Sequence, residues 1–198
     1  MSIKKIITGL ILLMLLSSGV AMAADFNKGL KAAQSGDFKT ALAEWTPLAE
    51  QGYADAQNNL GSMYDEGYGV RENDKIAVKW YTLAADQDHA NAQYNLGFMY
   101  DYGRGVLEND NTAVKWYTLA ARQGNATAQD KLGFMYQYGE GVLTDKKRAY
   151  MWYNIAAYKG SDIGASNKSM LANDMSLSQI DKAQDMSNIC LESGYTDC

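Results

Sequence analysis

Residues 54–89 read ADAQNNLGSMYDEGYGVRENDKIAVKWYTLAADQDH, and the chain then repeats nearly the same text twice. Residues 90–125 read ANAQYNLGFMYDYGRGVLENDNTAVKWYTLAARQGN, and residues 126–161 read ATAQDKLGFMYQYGEGVLTDKKRAYMWYNIAAYKGS. The period is 36 residues without a gap, and the first two copies agree at roughly two positions in three. A fixed period of this size predicts a solenoid, in which each unit buries its apolar face only by stacking on its neighbours. Such chains present surfaces.

Each copy holds two helical stretches around a glycine loop. The first runs from about Ala54 to Asp65, with Ala56, Leu60 and Tyr64 four residues apart on one stripe. Gly61 lies beside Leu60, where a missing side chain admits a close neighbour. The same positions recur as Ala92, Leu96, Gly97 and Tyr100, then as Ala128, Leu132, Gly133 and Tyr136. The loops Gly67-x-Gly69-Val70, Gly103-x-Gly105-Val106 and Gly139-x-Gly141-Val142 pair glycines that permit positive φ with a valine placed to plug the core. The second helix opens on Asn73-Asp74, Asn109-Asp110 or Thr144-Asp145, all good caps. It carries Ala77, Trp80 and Ala84, then Ala113, Trp116 and Ala120, then Ala149, Trp152 and Ala156. Small residues around a large aromatic predict an interlocking antiparallel pair, with Trp116 buried against the helices before and after it. Gly124 and Gly160 end their units at the usual left-handed site, whereas Asp88 replaces the first of these glycines and predicts a strained turn.

The pattern A-x-A-x-x-x-L-G-x-x-Y-x-x-G-x-G-V, followed by A-x-x-W-x-x-A-A, resembles the Sel1-like repeat, a relative of the tetratricopeptide repeat. The resemblance covers Ala54 to Ser161. It implies an all-α superhelical solenoid of helix-turn-helix repeats, divided as 54–89, 90–125 and 126–161. It further implies a concave face, lined by the first helices, that binds other proteins, in an adaptor or regulator exported to the bacterial envelope. Residues 24–53 keep Ala41, Trp45, Leu48, Ala49 and Gly52 and read as an incomplete leading cap. Residues 162–198 read as a degenerate trailing cap, with one helix from Ala165 to Asn173 and a second capped by Ser176 with Gln179 three residues on.

Lys4-Lys5, the apolar run from Ile6 to Leu16 and the small-residue ending Ala21-Met22-Ala23 form a secretory signal peptide, residues 1–23, with cleavage expected after Ala23. The apolar run is too short for a comfortable span of about 20 residues, so no stable membrane insertion is expected after cleavage. Removing Lys4 and Lys5 takes 18 basic residues to 16 against 23 acidic ones, and the net charge from −5 to −7. That charge excludes nucleic acid and anionic lipid, which demand clustered Lys and Arg. The expected location is the periplasm, or beyond it, of a Gram-negative-like cell, and a monomer is expected. Cys190 and Cys198 are the two cysteines of the chain. In an oxidising compartment they have only each other, and a structural disulfide is expected, worth about 2.5 kcal/mol by chain entropy.

Residues for chemistry do not converge. His89, the sole histidine, stands in an inter-repeat turn and reads as a solvated residue. Ser166-Asn167-Lys168-Ser169 offers no activated nucleophile. Asn73-Asp74 and Asn109-Asp110-Asn111 lack the glycine and twelfth-position Glu of a calcium loop and read as caps. No strand precedes the Gly-x-Gly loops, so they are not dinucleotide sites. Catalytic residues, cofactors and metal are accordingly assigned as none. Certain exported cysteine-rich Sel1-like proteins bind or hydrolyse β-lactams, which makes an envelope enzyme or binder of β-lactams or cell-wall fragments the alternative function. Those relatives carry a cysteine pair in every repeat, and this chain has none before Cys190.

Aligning Leu60-Gly61-x-x-Tyr64 with the tetratricopeptide signature assigns the protein-binding groove, for a protein or peptide partner, to the opposite face of each first helix. The positions are Asp55, Asn58, Ser62, Asp65 and Glu66; Asn91, Tyr94, Phe98, Asp101 and Tyr102; and Thr127, Asp130, Phe134, Gln137 and Tyr138. Aromatics on a solvent-facing stripe suit recognition hot spots. Asp65, Asp101 and Asp130 would then favour basic partner segments. The competing reading packs Tyr94, Phe98 and Phe134 between adjacent repeats.

Overall fold

The computed structural model describes residues 24–198, so the signal segment expected over residues 1–23 lies outside the described residues. Among the described residues the chain forms ten helices and no strand. They are α1 (Phe26–Gln34), α2 (Phe38–Glu50), α3 (Ala54–Glu66), α4 (Asp74–Ala85), α5 (Ala90–Asp101), α6 (Asp110–Arg122), α7 (Ala126–Tyr138), α8 (Lys146–Tyr158), α9 (Asp162–Ala172) and α10 (Leu177–Glu192). Each helix from α1 to α8 packs on the next, which makes an all-α solenoid. The helix starts follow side-chain chemistry. Asn73 and Asn109 accept from the backbone N–H of Ile76 and Thr112, Asp145 accepts from those of Lys147 and Arg148, and Ser176 with Gln179 forms a reciprocal capping box.

Inside each of the three repeats a glycine faces a tyrosine ring, and in the leading α1–α2 hairpin Gly29 faces Trp45 in the same way. A Cβ on Gly61, Gly97 or Gly133 would lie 2.6, 2.7 or 2.5 Å from the ring of Tyr81, Tyr117 or Tyr153. The bare glycine lets the ring lie flat on the first helix and become fully buried. Each phenol then reaches past the first helix to a polar side chain on its far side. Tyr81 donates to Asp65 at 3.2 Å, Tyr117 to Asp101 at 3.1 Å and Tyr153 to Gln137 at 2.9 Å. This corrects the expected anchor. Trp116 is only half-buried and packs on the core that its repeat shares with the preceding one, Trp80 does the same one period earlier, and of the three only Trp152 is buried. One residue of helix turns a side chain by about 100°, which puts Tyr117 in the hairpin core and Trp116 on its flank.

Successive repeats are joined by buried glutamines that the apolar pattern does not reveal. Gln57 donates to the carbonyl of Ala49 at 3.0 Å, Gln93 to that of Ala85 at 3.2 Å and Gln129 to that of Ala121 at 3.0 Å. These carbonyls lie in the last turns of α2, α4 and α6, where each also accepts a turn N–H, from Gly52, Asp88 and Gly124 respectively, so the glutamine adds a second bond that reaches across to the next unit. Gln87 and Gln123 complete the first two by donating to Gln57 and Gln93 at 2.7 and 2.8 Å. The third equivalent is Lys159, and the side-chain oxygen of Gln129 is buried without a partner.

The loops also stack on the preceding unit. Gly105 lies at φ +68° against the backbone of Asp74 at the start of α4, where a Cβ would collide with main chain. Asp88 adopts φ +60° at the turn where Gly124 and Gly160 sit at +84° and +92°, so the strained turn is present. Asp88→Gly should raise the unfolding free energy by about 0.5 kcal/mol, because relief of left-handed strain exceeds the added unfolded-state entropy. Urea titration measures it, and a loss of stability would show that the Asp88 side chain itself holds the turn.

The C-terminal end departs from the repeat. α9 starts at Asp162, three residues before the expected Ala165, because Ser161 caps it through the N–H of Gly164. α10 packs on α8, burying Ala183, Ser187 and Cys190. Cys190 and Cys198 are disulfide-bonded, which ties the last residues to the core of the second and third repeats. No helix among the described residues is long and apolar enough to cross a membrane.

Candidate protein-binding face

The outer faces of α3, α5 and α7 carry three kinds of residue. The first kind joins neighbours. Asn95 donates to Asn58 at 3.1 Å and Asn125 to Asn91 at 3.1 Å. His89 is not the solvated turn residue expected. Its Nδ1 accepts from the N–H of Ala92 at the start of α5, and its Nε2 lies 3.1 Å from Asp55. Ser62 is half-buried on the same face.

The second kind is the carboxylates expected to favour basic partner segments, and the fold already gives each of them a partner within the chain. Asp65 is nearly covered: it accepts from Tyr81, and the Arg104 guanidinium lies 2.9 Å away. Burial pushes its carboxyl above the usual range, and Arg104 opposes that shift. Asp101 holds Tyr117 and pairs with Lys131 at 3.1 Å. Asp130 accepts from the hydroxyl of Ser161, and burial raises its carboxyl against that bond. These groups fasten repeats together because each sits where a core phenol or the next repeat needs an acceptor.

The aromatics form the third kind, and they divide between the two readings. Tyr94 and Phe98 are half-buried and pack on the inter-repeat cores, Tyr94 with its ring 5.7 Å from that of Tyr117. Tyr102, Phe134 and Tyr138 are 54, 40 and 60% exposed, which makes them the solvent-facing members of the stripe. Phe98–Tyr102 and Phe134–Tyr138 each form a tilted ring pair with centroids 4.5 Å apart. Preformed aromatic side chains open to solvent are the residue type in which interface cores are enriched.

Lys131, which sequence reading did not single out, organises this face. Its ammonium donates to the Tyr102 hydroxyl at 2.7 Å and stands 4.6 Å from that ring's centroid. Burial works to lower its pKa, but the bonds to Tyr102 and Asp101 outweigh this and leave it raised. Beside it opens a cavity of about 360 Å³ lined by Asp101, Tyr102, Glu108, Asp110, Lys131, Phe134 and Glu140. One period earlier the residue at the position of Glu140 is Arg104, which pairs with Asp65, Asp74 and Glu72 at 2.9, 2.8 and 3.7 Å. The only sequence signal for this difference was the middle residue of the Gly-x-Gly loop, which runs Tyr68, Arg104, Glu140. Among the described residues no group of three or more His, Cys, Asp or Glu side chains is arranged to hold a metal ion.

Comparison with known proteins agrees with this architecture. The Sel1 repeat family model matches residues 54–89, 90–125 and 126–161. A Sel1 repeat protein from Oxalobacter formigenes is similar with 35% identity and a TM-score of 0.71, over 75% of this chain and 59% of that one. A protective antigen present in uropathogenic Escherichia coli strains, c5321, which displays an SLR fold, is similar with 27% identity and a TM-score of 0.53. That match covers 86% of this chain and 46% of the other. This chain therefore spans less than two thirds of either structure. The Helicobacter pylori cysteine-rich protein B shares the fold, with 21% identity, a TM-score of 0.53 and coverage of 66% and 93%. No curated protein matches the chain. With three contiguous repeats of one family and a solenoid of matching architecture, the chain belongs to the Sel1 repeat family.

Proposed function

We propose that this protein is a non-enzymatic docking scaffold of the bacterial envelope that holds a segment of a partner protein against the outer face of its first helices. The observation that carries the reading is the exposure of Tyr102, Phe134 and Tyr138, which the array has covered at Phe98 but left open here. Sel1 repeat proteins are generally protein-interaction scaffolds without catalysis, which supports the class. The disulfide fits an oxidising compartment, and with the signal segment it supports export to the periplasm or beyond. The chain acts as a monomer in this reading. In this reading Asn58 and Ser62 serve as polar rim positions, while the aromatics supply the binding energy.

Tyr102→Ala combined with Tyr138→Ala should abolish capture of the partner from envelope extract and leave the far-ultraviolet circular dichroism at wild-type strength. Each truncation should cost about 2 kcal/mol of binding, because interface energy concentrates in a few desolvated aromatics. Undiminished capture by the folded double variant would place the binding surface elsewhere. No observation favours the β-lactam or cell-wall-fragment alternative.

A further inference from the structure

The first two junctions between repeats differ by a reversal of charge at one position, and the intact one serves as a template for the other. Between the first and second repeats, Arg104 projects from its glycine loop onto three carboxylates of the unit before it. Its Nε and Nη2 donate to the two oxygens of Asp74 at 3.4 and 2.8 Å, and Nη2 also lies 2.9 Å from Asp65. One period on, the same carboxylates recur as Asp101, Glu108 and Asp110, but the loop contributes Glu140 in place of the guanidinium. Lys131 neutralises Asp101 from the aromatic side. Among the described residues Glu108, Asp110 and Glu140 have no basic side chain within ion-pair distance, although they line one cavity. Burial, then the charges of Asp101 and Asp110, push the Glu140 carboxyl above its usual range, with Lys131 opposing. The site therefore has the acceptors of a guanidinium site, no guanidinium, and an open cavity where one would enter. Its remaining walls are Tyr102 and Phe134, both exposed, and Lys131, whose ammonium is already engaged by Asp101 and by one face of the Tyr102 ring. A planar guanidinium stacks on such rings while its edge meets carboxylates, a combination the compact, strongly hydrated ammonium of lysine matches less well.

We infer that the cavity between the second and third repeats receives an arginine side chain of an extended partner segment, which takes the place that Arg104 fills within the array. This rests on the reading of the aromatic face as a protein-docking surface and names the residue that the partner must bring. The carboxylates accept the guanidinium N–H groups, Tyr102 and Phe134 cover its faces, and the neighbouring partner residues lie along the stripe toward Tyr138.

The test uses a fluorescein-labelled peptide of alternating arginine and leucine, with lysine and citrulline versions, titrated with the purified chain by fluorescence anisotropy. Citrulline keeps the shape of arginine and removes its charge. The arginine peptide should bind, the lysine peptide several-fold more weakly, and the citrulline peptide at least tenfold more weakly. Glu140→Arg rebuilds the Arg104 arrangement, so it should fold with equal or higher thermal stability and lose at least tenfold in affinity. Glu140→Gln should lose several-fold and serves as the second variant should the arginine perturb the loop. No binding of the arginine peptide, equal binding of the citrulline peptide, or undiminished binding by both Glu140 variants overturns the inference. Its failure is separable from that of the scaffold reading. If partner capture is lost in the Tyr102→Ala, Tyr138→Ala variant but survives Glu140→Arg, the aromatic face stands and the arginine pocket falls. If peptide binding responds to Glu140 and to Tyr102→Ala alone but ignores Tyr138→Ala, the pocket stands and the stripe is not its continuation.

Discussion

Tyr117→Ala should lower the unfolding free energy by about 3–5 kcal/mol, the usual cost of deleting a fully buried aromatic side chain. The ring is completely covered, lies on Gly97 of the paired helix and belongs to the core shared by the second and third repeats. Its hydroxyl donates to Asp101, so truncation also leaves that carboxylate with Lys131 as its remaining partner. Coupling in a solenoid is between neighbours, so the loss should spread to the adjoining repeats. Trp116→Ala, one residue away and half-buried, should cost clearly less. Paired urea titrations decide the order. A larger loss at Trp116 would mean that the tryptophan, not the tyrosine, centres the hairpin.

Gly97→Val should be nearly as damaging, at about 3 kcal/mol, although valine is no worse a helix former than glycine. The added Cβ alone would stand 2.7 Å from the Tyr117 ring, and that ring is held by packing on one side and by Asp101 on the other. The cost is therefore steric and local to one pair. Placed in the Tyr117→Ala background, the same substitution should cost little, because the new methyl groups occupy the volume the ring has left. Strong non-additivity in this double-mutant cycle is the signature of the direct contact. Additive losses would show that glycine is required there for another reason.

The fold was legible because the repeat states its own period and the alanine, leucine and glycine stripe marks the faces that must meet. Asp88 was legible for the same reason, since a missing glycine stands out against two present ones. The core tyrosines were harder to read. Trp80-Tyr81, Trp116-Tyr117 and Met151-Trp152-Tyr153 place two large rings side by side, and periodicity alone favours the bulkier one. The glutamine ladder was invisible to an apolar pattern because it bridges the end of one unit to the first helix of the next, and those groups meet only once the helices are docked. At the binding face the sequence identified the stripe but not its division. Phe98 and Phe134 are the same residue at the same position, yet the next repeat sets Lys131 over Phe98 while Phe134 is left 40% open. That difference belongs to the unit that follows, not to the residue itself. The partners of the carboxylates were hidden for a related reason: an acidic side chain on an outer face shows them only when the phenol and guanidinium reaching it from the next helix and loop are in place.

Site-specific photocrosslinking examines the central claim most directly. A benzoylphenylalanine introduced in turn at Tyr102, Tyr138 and Leu119, the last exposed on the second helix α6, would be irradiated in cells and the adducts identified by mass spectrometry. The expected result is one and the same partner protein attached at positions 102 and 138 and none at 119. Adducts confined to position 119 would contradict the account.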